Sequence, residues 1–281
     1  MTAPGSTVVR RQLGRRLRRL RELAGKTAAD VEEAKLVSAA KLWRIETGKT
    51  PVKVPDVRAL CWLYDADGRT TDALAGLAVG TAGRGWWEEY GDVMPEWFKL
   101  YVDLEVAADE IRSYDPLVVP GLFQTADYAR AVYRAAQPGD GEEAIRRHVA
   151  LRLERQQNVL GRPDPARIVA VLDEAVPRRA VGSAEVMAAQ VARLRDLDRR
   201  DHVEIRVLAA ASGAHAAMAG GFVLLDFDEP DDPPVVYLET QVGARYLEEP
   251  AQLDTYRTIF DLAAKQAVPL EEYPPRAPPR G

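Results

Sequence analysis

The sequence predicts an α+β, multi-domain protein: an N-terminal bundle of five short helices followed by a mixed α/β domain. Three observations carry that reading. At 281 residues the chain exceeds the usual span of one domain. A hydrophobic fraction of 47% with 29% charged residues suits packed cores and excludes wholesale disorder. The net charge of −5 conceals a split, because residues 1–64 hold fourteen Lys and Arg against six Asp and Glu, and the remainder carries the acidic excess. A basic unit on an acidic body is the distribution expected where only one part meets a polyanion.

The helices follow in order. Val9, Leu13, Leu17, Leu20 and Ala24 recur at helical spacing within Val8–Ala24, with seven arginines between Arg10 and Arg21, so the first helix is amphipathic and basic. Gly25 ends it. Thr27 with Asp30 three positions on has the pattern of a capped start and predicts a second helix, Ala28–Lys35. Ser38 caps a third that runs through Glu46, with Leu42 and Ile45 facing inward and Gly48 as its stop. Pro55–Tyr64 and Thr71–Val79 supply the fourth and fifth. The bundle is thus assigned to residues 1–78, and a glycine-bearing linker to 79–86. That linker is not a phosphate loop, since no Gly-Lys-Ser/Thr follows its glycines.

Residues 87–266 are assigned to a mixed α/β regulatory or partner-binding domain. Its entry, Trp86–Tyr101, concentrates aromatic residues and reads as a packing anchor in preference to a ligand box. Ile111–Val119, Arg167–Leu172, Val203–Leu208, Phe222–Phe227 and Val235–Leu238 read as extended, the last two flanking the acidic turn Asp228–Pro234. Gln124–Ala136, Glu142–Leu160, Ala184–Arg200 and Gln252–Gln266 read as helices. Residues 267–281 hold five prolines and are expected to be a disordered tail.

Several classes of chemistry are disfavoured. A single cysteine, Cys61, excludes an internal disulfide, and no Cys/His spacing points to a metal site. No apolar run is long enough to span a bilayer, so a cytoplasmic protein without a membrane partner is expected. The second and third helices, joined by a tight turn inside a bundle, have instead the layout that sets a recognition helix in the major groove of double-stranded DNA. Candidate contacts are Arg15 and Arg18 for phosphates, Thr27 at the second helix, and Ser38, Ala39, Ala40, Lys41, Trp43, Arg44 and Lys49 on and after the third. Arg44 is suited to bidentate reading of a guanine edge, Lys41 to a phosphate, and Ala39 and Ala40 to a thymine methyl. Trp43 either packs on a neighbouring helix or faces outward.

The run Val37-Ser38-Ala39-Ala40-Lys41-Leu42-Trp43-Arg44-Ile45-Glu46-Thr47-Gly48-Lys49 resembles the Xre/Cro-type helix-turn-helix pattern. Leu36 stands where a glycine is common in the turn, and the alanines stand where polar base readers are common. The C-terminal part is similar to the domain of unknown function in WhiJ-like, antitoxin-like actinobacterial regulators. Its motifs stand here as Val119-Pro120-Gly121-Leu122-Phe123-Gln124, Arg152 with Arg155-Gln156, Asp173-Glu174-Ala175, and Gly213-Ala214-His215 ahead of Gly221-Phe222. The resemblance implies a transcriptional regulator; it implies no catalytic activity, and no cofactor is expected. It further implies a C-terminal domain that senses a signal or binds a small BldB-like companion protein. A homodimer is expected, since one recognition helix reads only a few base pairs.

Candidate ligand or partner contacts in the second domain are Gln124, Tyr128, Arg155, Glu174, Arg178, His215 and Glu239. An alternative enzyme reading takes Glu174 as a general base and His215 as an acid, with Arg178, Glu239 and Arg245 as further polar candidates at strand ends or in loops; it calls for Glu174, His215 and Glu239 in one pocket. A further alternative is an interaction module whose helical domain docks an acidic protein instead of DNA.

Overall fold

The computed structural model describes residues 6–80, 89–228 and 233–273. Trp86, Trp87, the linker beyond Gly80, most of the acidic turn and the proline-rich end from residue 274 lie outside the described residues. The chain forms two compact units. Among the described residues, one holds 6–80 and 100–107, and the other holds 89–99, 108–228 and 233–273.

The first unit is built from α1 (Ser6–Leu23), α2 (Ala28–Glu33), α3 (Ala39–Glu46), α4 (Val54–Leu63) and α5 (Gly68–Gly80). The local signals act as the sequence predicts. Thr27 and Asp30 close a reciprocal capping box on α2, and Ser38 Oγ accepts from the Lys41 amide to start α3. Gly48 leaves α3 at φ +68, a conformation that favours glycine. Leu13, Leu17, Val31, Leu42, Ile45, Val57 and Leu60 make one core. The α1 backbone lies directly on the end of α3 at Gly14, where a Cβ would sit 2.8 Å from the Glu46 carbonyl oxygen and closer still to that of Ile45. The fifth helix runs to Gly80, two residues beyond the predicted end of the bundle.

Helix α6 (Glu96–Ala107) is additional to the elements expected from the sequence. Tyr101, Val102 and Leu104 are buried, and the Tyr101 hydroxyl donates to Glu105 Oε1 one turn on at 2.7 Å.

The second unit is a seven-stranded mixed sheet in the order β6-β5-β4-β1-β2-β3-β7. Its strands are β1 (Glu110–Asp115), β2 (Arg167–Asp173), β3 (Val203–Leu208), β4 (Phe222–Asp226), β5 (Val235–Thr240), β6 (Gly243–Leu247) and β7 (Val268–Pro269). Crossovers through α7 (Ala126–Ala136), α8 (Glu142–Leu160), the short α9 (Ala175–Arg178) and α10 (Ala184–Asp198) make β1, β2 and β3 parallel. Ile168–Leu172 of β2 is buried on both faces, as a central parallel strand requires. The later strands are antiparallel, with Tyr114 opposite Phe222 and Val223 opposite Tyr237. Helix α11 (Pro250–Gln266) sets Leu253, Phe260 and Ala263 against Val169, Val171, Leu224 and Val236 on one sheet face.

One expectation is corrected here. The tail does not begin at residue 267: Val268 pairs with Val207 of β3, and Leu270 is buried in a following 3-10 turn. Proline is tolerated there because β7 is an edge strand. Strand β6 is also additional, since its short run lacks apolar alternation.

Candidate nucleic-acid interface

Helix α3 is anchored by Leu42 and Ile45, each 1% exposed, and this fixes which side chains point outward. Ala40, Trp43 and Arg44 are exposed, with Ser38 exposed at the N-terminus. Trp43 does not pack on a neighbouring helix: 55% of it is exposed, and Lys49 Nζ lies 4.2 Å from the ring centroid. Arg44 has no side-chain partner among the described residues, so its guanidinium is available. Ala39 is half-buried.

Lys41 is placed otherwise than its assignment as a phosphate contact implies. Its ammonium donates to Asp56 Oδ2 of α4 at 2.9 Å, and that pairing ties α3 to α4. The far end of α3 is tied to α1 by a fork in which Arg21 Nε and Nη2 donate to the two oxygens of Glu46 at 2.6 and 2.9 Å. Arg21 Nη1 also donates to the Lys26 carbonyl, bracing the turn into α2 and Thr27. The Glu46 carboxylate holds the Arg21 guanidinium further above its usual range. Leu36 needs no glycine substitute, because the left-handed residue of the α2–α3 turn is Lys35, at φ 56.

The basic face of α1 is not gathered beside α3. Gly14 and Arg21 face α3, whereas Arg15, Arg16 and Arg19 line a cleft of about 760 Å³ between α1 and α5, opposite Arg69. At 100° per residue these groups fall on different sides of the helix. Arg15 is therefore removed from the recognition-helix face, and Arg18 is engaged with Glu22 at 2.8 Å.

The polar candidates of the second unit divide into core and rim. Gln124 and Tyr128 are 2% and 0% exposed. Gln124 Nε2 donates to the Val119 carbonyl, its Oε1 accepts from Arg152, and the Tyr128 hydroxyl accepts from the Val119 amide, so both are hydrogen-bonded within the core. Arg155 is buried, with its guanidinium 5.3 Å from the Phe98 ring centroid. Glu174 pairs with Arg178 at 2.5 Å and accepts from the Ala210 amide. His215 Nε2 stands 3.4 Å from the Tyr114 hydroxyl, which is also 3.5 Å from Asp173 Oδ2. Burial, with Asp173 adding to it, pushes the Tyr114 phenol up to about 12.

Glu239 lies on the opposite sheet face from Tyr114, near Asp115, which sequence reasoning missed. Ser113 Oγ donates to Asp115 Oδ2 at 2.6 Å, and burial pushes that carboxyl up to about 7 against the pull of Ser113 and Arg155. The triad required by the enzyme reading is not brought together, since Glu174 is held by Arg178 and Ala210 while Glu239 lines a separate cleft. Among the described residues no group of His, Cys, Asp and Glu is arranged to hold a metal ion. Nor is any described helix long and apolar enough to cross a membrane.

Comparison with known families gives two matches. Residues 12–74 match a helix-turn-helix domain, and residues 98–272 match a domain of unknown function, DUF5753. No curated protein and no solved structure matches the chain.

Proposed function

The chain belongs to the DUF5753 family, with a helix-turn-helix domain ahead of the family domain, and on that premise we propose a sequence-specific transcriptional regulator. In this reading the N-terminal unit binds duplex DNA, and the C-terminal unit senses a signal or docks a small companion protein. The observation that carries it is the outward face of α3. Leu42 and Ile45 fix the helix, while Ser38, Ala40, Trp43 and the unpaired guanidinium of Arg44 are left to meet a groove. The kinship to Xre-type, WhiJ-like regulators of actinobacteria, and a BldB-like companion, belong to this proposal. So does its non-catalytic character, which the engagement of Glu174 and the core placement of Gln124 and Tyr128 support.

Arg44→Ala should weaken binding to the cognate duplex by about 1–3 kcal/mol, with little change on random duplex. Competition titrations against both duplexes at two salt concentrations check this, and equal losses on the two would refute the role of Arg44. Arg18→Ala should lower both affinities slightly and alike. Two copies on a two-fold operator complete the proposal, because paired recognition helices reach adjacent major-groove segments. Light-scattering mass on operator DNA reads this directly, and a single copy per operator would count against it.

A further inference from the structure

Asp115 and Glu239 stand at the same end of the sheet, on one face, with Gly221 between them. The register sets Ser113 opposite Val223 and Val223 opposite Tyr237. Carried two residues along β1 and β5, it brings Asp115 and Glu239 to either side of Gly221, on strands about 10 Å apart across β4. Each carboxylate accepts from a hydroxyl two residues before it: Ser113 Oγ to Asp115 at 2.6 Å, and Tyr237 Oη to Glu239 at 3.1 Å. Gly221 lets Pro116 and the Tyr114 carbonyl close tightly against the start of β4, because a Cβ there would sit 3.1 Å from Pro116 Cδ and from that oxygen. The result is a cleft of about 220 Å³, walled by Pro116–Val118 and floored by Tyr237.

We propose that this cleft binds a compact organic cation, an alkylammonium or guanidinium, with Asp115 as its inner counter-charge and Glu239 at its mouth. The chemistry of the lining selects that class. Neither carboxylate forms an ion pair with any described residue. Among the described residues, the Arg155 guanidinium lowers the Asp115 carboxyl by its charge, but less than burial raises it. An ionised carboxylate accepts and does not donate, so the two acids favour a cation over an anion. The buried ring of Tyr237 and the exposed side chain of Leu117 supply apolar surface for the carbon skeleton. The volume falls below that of a drug-sized pocket and fits a small molecule. Burial raises the Asp115 carboxyl to about 7 in spite of the opposing pull of Ser113 and Arg155.

The inference rests on the sensing role proposed for this unit, and its test separates the two. Calorimetric titration of the full chain at about pH 8 uses choline, putrescine and agmatine, with propionate and propanol as anionic and neutral controls. At least one cation should saturate at a single site, and neither control should. Asp115→Asn should weaken that binding by about 10–100-fold, the weight of a charge-assisted hydrogen bond, and Glu239→Gln by less. Failure of all three cations to saturate by about 10 mM, or equal binding by Asp115→Asn protein, would overturn the site. Duplex affinity is then measured with and without the bound cation. A cation that binds at Asp115 without moving duplex affinity upholds the site and counts against signal sensing. Intact duplex binding with no cation bound leaves the regulator standing and removes the site.

Discussion

Gly14→Ala should loosen the helical unit by about 3 kcal/mol or more, although the same exchange stabilises an exposed helix interior by roughly 1 kcal/mol. The sign reverses because the atom added is itself the obstruction. A Cβ at Gly14 meets the carbonyl oxygens of Ile45 and Glu46, which are backbone and cannot swing aside. For α1 to move away, Leu13 and Leu17 must part from Leu42 and Ile45, and the Arg21–Glu46 fork must lengthen. Gly76 in α5 is the internal control: it is exposed, and no atom lies within 4 Å of a Cβ built there. Gly76→Ala should therefore stabilise the unit by about 0.5–1 kcal/mol. Amide exchange in α1 and α3 reads both variants, with amides of β1 and β2 unchanged in each. A Gly14→Ala protein with wild-type protection in α3 would show that the two helices do not meet at this glycine.

Asp115→Asn should make the sheet unit more stable near neutral pH. The carboxyl is raised in the folded chain from an ordinary value of 3.8 to about 7, so folding takes up a proton between those limits. Below about pH 4 the group is protonated in both states and costs nothing. As pH rises toward 7 the unfolded chain ionises first, stability falls, and above 7 the full penalty stands. The shift corresponds to about 4 kcal/mol, and the open side of the cleft reduces it to about 2–4 kcal/mol. The gain of the Asn variant should be present at about pH 8 and vanish by about pH 4, as read from amide exchange in β1 and β2. A variant less stable than wild type at about pH 8 would mean that the carboxylate has a stabilising partner. A residue that weakens its own fold is the pattern expected where binding, not stability, sets its identity.

What could be read from the sequence was local. The Thr27–Asp30 box, the Ser38 cap and the Gly48 stop are signals contained within a few residues, and each acts on the helix it flanks. The outward placement of Arg44 follows from the spacing of Leu42 and Ile45 alone. Lys41 did not, because its partner Asp56 belongs to the next helix and no local pattern announces a pair fifteen residues apart. Gly14 carried a signal that could have been used, namely a glycine inside a strong helix-forming run, which calls for a packing reason. For Gln124 and Tyr128 the sequence leaves a pocket contact and a core hydrogen bond equally open, and only the loop carrying Val119 shows where their hydrogen bonds go. The Asp115 cleft was illegible because it exists only once β1, β4 and β5 are side by side.

The position of β1 also sets an order of assembly. Its antiparallel neighbour is far down the chain, since Tyr114 pairs with Phe222 across 108 intervening steps of sequence. Every contact within α1–α5 is available once residue 80 has been made. During synthesis the helical bundle can therefore close while the β4 side of β1 waits for a strand far down the chain, and late strand pairing of this kind is slow and exposed to misassembly. A nascent chain arrested between α10 and β4 would carry a finished bundle beside a half-built sheet, and that interval is when a chaperone has most to protect.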